Sequence, residues 1–74
     1  MKKNKIVVLG AGESGVGAAV LAQVKGHEVF VSDMSSIKDK YKQMLDEYGI
    51  AWEEGKHTVE RIMDADEVVK SPGI

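Results

Sequence analysis

Short, continuous apolar runs alternate along this chain with longer stretches in which apolar residues return every three or four positions. Ile6-Val7-Val8-Leu9, Val29-Phe30-Val31 and Val68-Val69 are the clearest runs, and β-branched clusters of this length bounded by Gly, Asp or Ser read as buried strands. Strands are predicted at residues 5–9, 28–32, 50–52 and 67–70. Between the first two, Gly15 to Lys25 carries Val16, Ala19, Ala22 and Val24, widened by Val20 and Leu21, and Gly26 stands where a left-handed helix cap is wanted. A second helix, capped by Ser35 or Ser36 and running through Tyr48, places Ile37, Tyr41, Met44, Leu45 and Tyr48 at helical spacing before Gly49 stops it. Thr58 is positioned to cap a third, shorter helix over Val59 to Met63.

Strands that alternate with helices fold as parallel βαβ units, and right-handed crossovers then order the strands 3-2-1-4. Winding reverses between strands 1 and 4, so a ligand crevice is expected at their carboxyl ends. Strand 4 ordinarily feeds another crossover helix and strand. The expectation is therefore a single domain over residues 1–74, truncated before its last helix and strand and belonging to a longer protein. A domain of this size buries only about 60% of its unfolded surface.

The first turn carries the chemistry. Leu9 runs into Gly10-Ala11-Gly12-Glu13-Ser14-Gly15, a G-x-G-x-x-G sequence between a strand and a small-residue helix. Gly10 allows a tight exit from the strand, Gly12 lets backbone N–H groups approach a diphosphate, and Gly15 lets the helix pack closely on the sheet. Asp33 ends the second strand, where an acid meets a ribose or base. Together these features predict an α/β, Rossmann-like three-layer sandwich. The same glycines do not make an ATPase loop, because Val16 and Gly17 stand where Lys and Ser or Thr would reach the terminal phosphates and magnesium.

Charge narrows the partners further. Ten Lys and Arg against twelve Asp and Glu are interspersed, giving a net charge of −2 and no basic stripe for nucleic acid. Lys2, Lys3 and Lys5 precede an apolar run too short for an export signal or a membrane span. The absence of cysteine fits a reducing compartment, so a cytoplasmic location is expected, with no membrane and no nucleic acid among the partners.

Three segments then carry a family resemblance: Gly10 to Gly15, Val29-Phe30-Val31-Ser32-Asp33, and Ala65-Asp66-Glu67-Val68-Val69-Lys70-Ser71-Pro72-Gly73-Ile74. Their combination resembles the N-terminal domain of the Mur ligases of peptidoglycan synthesis, most closely the members that add D-glutamate to UDP-N-acetylmuramoyl-L-alanine. The resemblance implies an ATP-dependent, amide-forming enzyme of which this chain is about the first sixth. It also implies that the domain grips the UDP end of the substrate, with Gly12, Glu13, Ser14 and Gly15 at the diphosphate. Asp33, Met34 and Ser35 would face uracil and its ribose, and Ser71, Pro72 and Gly73 would close the opposite wall. ATP and magnesium would belong to a central domain absent here, which leaves this chain without catalytic residues or cofactor and inactive alone. Its partners would be the UDP-sugar substrate and the rest of its own polypeptide. Glu13 is the departure within the turn; its side chain is expected to point to solvent while its amide faces the phosphate.

The competing reading is an NAD-type dinucleotide module of an oxidoreductase or nucleotide sensor, in which Asp33 would take the adenosine ribose. A purely local reading of Asp33 is an Asx turn at the strand end. The remaining polar and aromatic residues read as structure: His27 and His57 share no metal-ligand spacing, Trp52 packs an edge strand, Met34, Met44 and Met63 fill core or rim, and Glu53-Glu54 forms an exposed turn.

Overall fold

The computed structural model describes residues 4–70. Four strands, β1 (Lys5–Leu9), β2 (Glu28–Asp33), β3 (Ala51–Glu54) and β4 (Glu67–Lys70), form one parallel sheet in the order β3-β2-β1-β4. Helices α1 (Glu13–Val24), α2 (Asp39–Glu47) and α3 (Val59–Met63) connect them. This is the predicted α/β architecture and strand order.

Pairing in register explains the core. Val8 lies between Val31 and Val69, and Ile6 pairs with Val29, so the β-branched residues of neighbouring strands share a face. That face meets α1 and α2 through Val16, Ala19 and Leu45, and Val8, Val31, Leu45 and Ala19 lose all solvent contact. Burying each large aliphatic side chain stabilises the fold by about 1.5–3 kcal/mol. The opposite face of the sheet carries Val7 and Phe30, and α3 lays the Arg61 guanidinium 4.0 Å from the Phe30 ring centroid. The third layer is thus thin, and Val68 remains 44% exposed.

Both long helices end as their glycines foretell. Gly26 (φ +94°) and Gly49 (φ +69°) adopt the left-handed conformation. His27 N–H then reaches the Ala22 carbonyl at 3.1 Å, and Ile50 N–H reaches that of Leu45 at 2.9 Å, satisfying otherwise orphaned helix-end acceptors. Starts are less faithful to expectation. Lys38, not Ser35 or Ser36, is the residue before α2, because acidic side chains hold the intervening backbone in a loop. Leu21 and Val24 are more than half exposed, so α1 buries only Gly15, Val16 and Ala19.

Candidate functional site

At the carboxyl edge of the sheet, β1 leaves through Gly10, whose φ of +99° few other residues tolerate. Its N–H still bonds the Ser32 carbonyl at 2.8 Å, so the turn starts in fixed register with β2. Gly12 follows as the residue before α1, extended at φ −80° and ψ −169°. Among the described residues no side chain caps the helix there, and the first N–H groups of a helix have no partner within it. Glu13 and Ser14 lie exposed in the first turn, while Gly15 is buried against the sheet.

Gly12 differs physically from Gly10. Its backbone angles suit any residue, and a Cβ built on it meets nothing within 4 Å. Neither backbone nor packing among the described residues requires glycine at this position. What lies in front of it is open space beside unpaired amide donors at the positive end of a helix dipole, an arrangement that accommodates an anion.

Asp33 lies half-buried at the end of β2 and works as a joint. One carboxylate oxygen accepts the Ala11 N–H at 2.8 Å, across to the glycine turn, and the other accepts the Ser35 N–H at 2.8 Å. The local Asx turn is therefore present, together with a long-range bond that sequence spacing did not reveal. Met34, 61% exposed, and Ser35 occupy the loop beside it. The structure thus brings Gly12, Glu13, Ser14 and Gly15 to one edge with Asp33, Met34 and Ser35. Ser71, Pro72 and Gly73 lie outside the described residues.

Glu53 and Glu54 correct their reading as an exposed turn. Both belong to β3 and both fasten loops. Glu54 accepts the Ile37 N–H at 2.8 Å and pairs with Lys42 at 2.9 Å, contacts that hold its carboxyl below the ordinary range. Glu53 is partly desolvated, which alone would raise its carboxyl. The Thr58 hydroxyl and N–H, the Ser32 hydroxyl and the charge of Lys56 outweigh that and bring it below the ordinary range. The fully buried Ser32 hydroxyl also meets the Lys56 carbonyl and His57 Nδ1. Sequence reasoning passed over this cluster, although a serine inside an apolar strand was a signal that polar partners must exist.

Trp52 packs at the β3 edge as expected, its indole N–H bonded to Asp46 at 2.9 Å. Among the described residues there is no group of acidic or histidine side chains placed to hold a metal, and no helix long and apolar enough to cross a membrane.

Comparison with known proteins gives a consistent result. The family model described as the MurD N-terminal domain matches residues 5–74. The chain is 77% identical over 71 residues to UDP-N-acetylmuramoylalanine–D-glutamate ligase of Bacteroides fragilis, covering 96% of this chain and 16% of that protein. It is 74% identical to the enzyme of the same name from Bacteroides thetaiotaomicron, again covering 96% of this chain and 16% of that protein. The Chlorobium phaeobacteroides enzyme of that name is 44% identical, with 96% of this chain and 15% of that protein covered. The chain thus spans about a sixth of the length of these relatives.

Proposed function

Because the chain belongs to the MurD N-terminal domain family, we propose that its carboxyl edge holds the UDP moiety of UDP-N-acetylmuramoyl-L-alanine for an ATP-dependent ligase that adds D-glutamate in the cytoplasm. The observation that carries this reading is Gly12: a glycine that nothing among the described residues requires, facing open space among them beside uncapped helix N–H groups. A diphosphate is the ligand that uses both features, since its oxygens accept several backbone N–H bonds and need close approach. The Gly12, Glu13, Ser14 and Gly15 amides would meet the phosphates, with the Ser14 hydroxyl adding a donor. Asp33, Met34 and Ser35 would then meet uracil and ribose, and Ser71, Pro72 and Gly73 the far side.

The family match, rather than Asp33, favours this reading over a dinucleotide one. In an NAD-type site the acid at the end of strand 2 offers its carboxylate to the ribose hydroxyls. Here each oxygen accepts one backbone N–H and keeps a further lone pair, so the acid holds the loop and still has acceptor capacity for the uridine part. Phosphoryl transfer and amide formation fall to the rest of the ligase, with ATP and magnesium bound there. This chain contributes binding and orientation of the substrate's nucleotide end.

With only one domain's contacts available, affinity on the order of millimolar is expected, about −4 kcal/mol. Chemical-shift titration of the chain with UDP and with NADH tests the reading. UDP is expected to move the Gly12 to Gly15 and Asp33 amides at lower concentration than NADH. The reverse order would overturn it.

A further inference from the structure

The cluster on the far side of β2 has a proton count that assigns its parts. The Ser32 hydroxyl has one proton and three polar neighbours: Glu53 Oε2 at 2.8 Å, the Lys56 carbonyl at 3.1 Å, and His57 Nδ1. Two of these are oxygens that can only accept, since Glu53 is held ionised by the Thr58 N–H at 2.7 Å and the Thr58 hydroxyl. An unprotonated Nδ1 would be a third acceptor competing for the one proton. A proton on His57 Nδ1, donated to Ser32, which donates onward to Glu53, relieves that competition.

This chain of bonds ends on a loop rather than in the core. It fixes Gly55 to His57, a segment turned by Gly55 at φ +73°. From that segment Gly55 N–H donates to the Ser35 carbonyl at 3.2 Å and Lys56 N–H to the Asp33 carbonyl at 3.4 Å. These are the backbones of the residues assigned above to uracil and ribose. Burying a hydroxyl and a carboxylate together costs stability unless every partner is satisfied, and apolar residues would close the sheet face without that cost. The polar groups instead stitch two loops at the edge where the nucleotide is placed.

We propose that His57, Ser32 and Glu53 form a positioning relay for the uracil and ribose, which holds the Gly55–His57 loop as the outer wall beside Asp33–Ser35 and fixes His57 as the Nδ1–H tautomer. The inference rests on the UDP reading and deepens it: the relay serves the base and ribose, not the diphosphate.

Two measurements on the full chain test it. Long-range ¹H–¹⁵N correlation at neutral pH reports the tautomers directly, with His27 as internal contrast, because its Nδ1 accepts the Asn4 N–H at 3.3 Å and must be unprotonated. His57 is expected to show a protonated Nδ1, and an Nε2–H tautomer with bare Nδ1 overturns the relay. The second measurement titrates UDP and inorganic pyrophosphate into the wild type, Ser32→Ala, His57→Leu and His57→Asn. Loss of one buried bond is expected to weaken UDP about five- to tenfold in Ser32→Ala and His57→Leu, with pyrophosphate unchanged. His57→Asn, whose amide N–H replaces Nδ1–H, is expected to bind UDP like the wild type. Should Ser32→Ala not fold, the His57→Leu and His57→Asn pair carries the comparison. Unchanged UDP affinity in His57→Leu, or equal weakening for both ligands, overturns the relay while leaving the UDP reading intact. A wild type that binds pyrophosphate but gains nothing from the uridine part overturns both.

Discussion

The two loops that frame the candidate site are built in opposite ways. In the turn from β1 to α1, the Gly10 N–H bonds the Ser32 carbonyl and the Ala11 N–H bonds Asp33, and among the described residues no side chain caps the helix start that follows. In the loop from β2 to α2, Asp33 holds the Ser35 N–H, Glu54 holds the Ile37 N–H, and the Gly55–Lys56 backbone occupies the carbonyls of Ser35 and Asp33. One loop leaves the first amides of α1 open; the other commits its Ser35 and Ile37 amides to acidic side chains. Open amides at a helix start recognise an anion through the backbone, whereas a loop braced in this way presents a wall whose shape does the recognising. Diphosphate at the first and base with ribose at the second is the division this difference supports.

Asp33 joins the two loops, so removing it strikes both. Asp33→Ala leaves the Ala11 and Ser35 N–H groups without their charged acceptor and is expected to cost about 2–4 kcal/mol by urea unfolding. In a domain this small that is a large share of total stability. A loss under about 0.5 kcal/mol, the ordinary range of surface substitutions, would show that the loops hold themselves without the joint.

Acid is expected to loosen the second loop selectively. The Glu53 and Glu54 carboxyls sit below their ordinary value of 4.5 in the folded chain. Groups depressed in this way stabilise the fold above the unfolded value and lose that contribution as pH falls through the lower, folded one. Melting temperature is therefore expected to fall as pH drops from about 4.5, with the Gly55 and Lys56 amides losing hydrogen-exchange protection before those of β1. Glu53→Gln should flatten this acid dependence. An unchanged pH profile in that variant would place the acid sensitivity elsewhere.

A smaller effect separates the glycines the turn needs from one the helix merely contains. Gly17 is exposed within α1, and a Cβ there meets nothing within 4 Å. Gly17→Ala is expected to stabilise the chain by about 0.5–1 kcal/mol with UDP affinity unchanged. Loss of UDP affinity would extend the anion site one turn further into the helix.

How much of this the sequence revealed divides along the same line. The glycine turn was legible because its cause is local: the spacing of Gly10, Gly12 and Gly15 between an apolar strand and a helix encodes its geometry. Strand order was legible too, since runs of Val and Ile and right-handed crossovers leave few alternatives. The second loop was not legible, because its bonds join residues far apart in the chain. Asp33 reaches back to Ala11 and Ser32 forward to Glu53, Lys56 and His57, pairings that exist only once the strands are in register. For the same reason β3 extends to Glu54 rather than stopping at Trp52: the parallel partner Asp33 carries the pairing onward.

A substitution with little expected effect on the fold is the sharpest test of the account. Gly12→Val adds its side chain where nothing among the described residues touches, with backbone angles that valine accepts. The loss of a favourable cap residue is expected to cost no more than about 1 kcal/mol. The added methyl groups nevertheless fill the space through which a diphosphate must approach the α1 amides. Unfolding and UDP titration followed on one sample of this variant should show near wild-type stability and no UDP-dependent shift in the residue 12–15 amides. Retained UDP affinity in a folded Gly12→Val chain would contradict the claim that the open first turn of α1 is the diphosphate site.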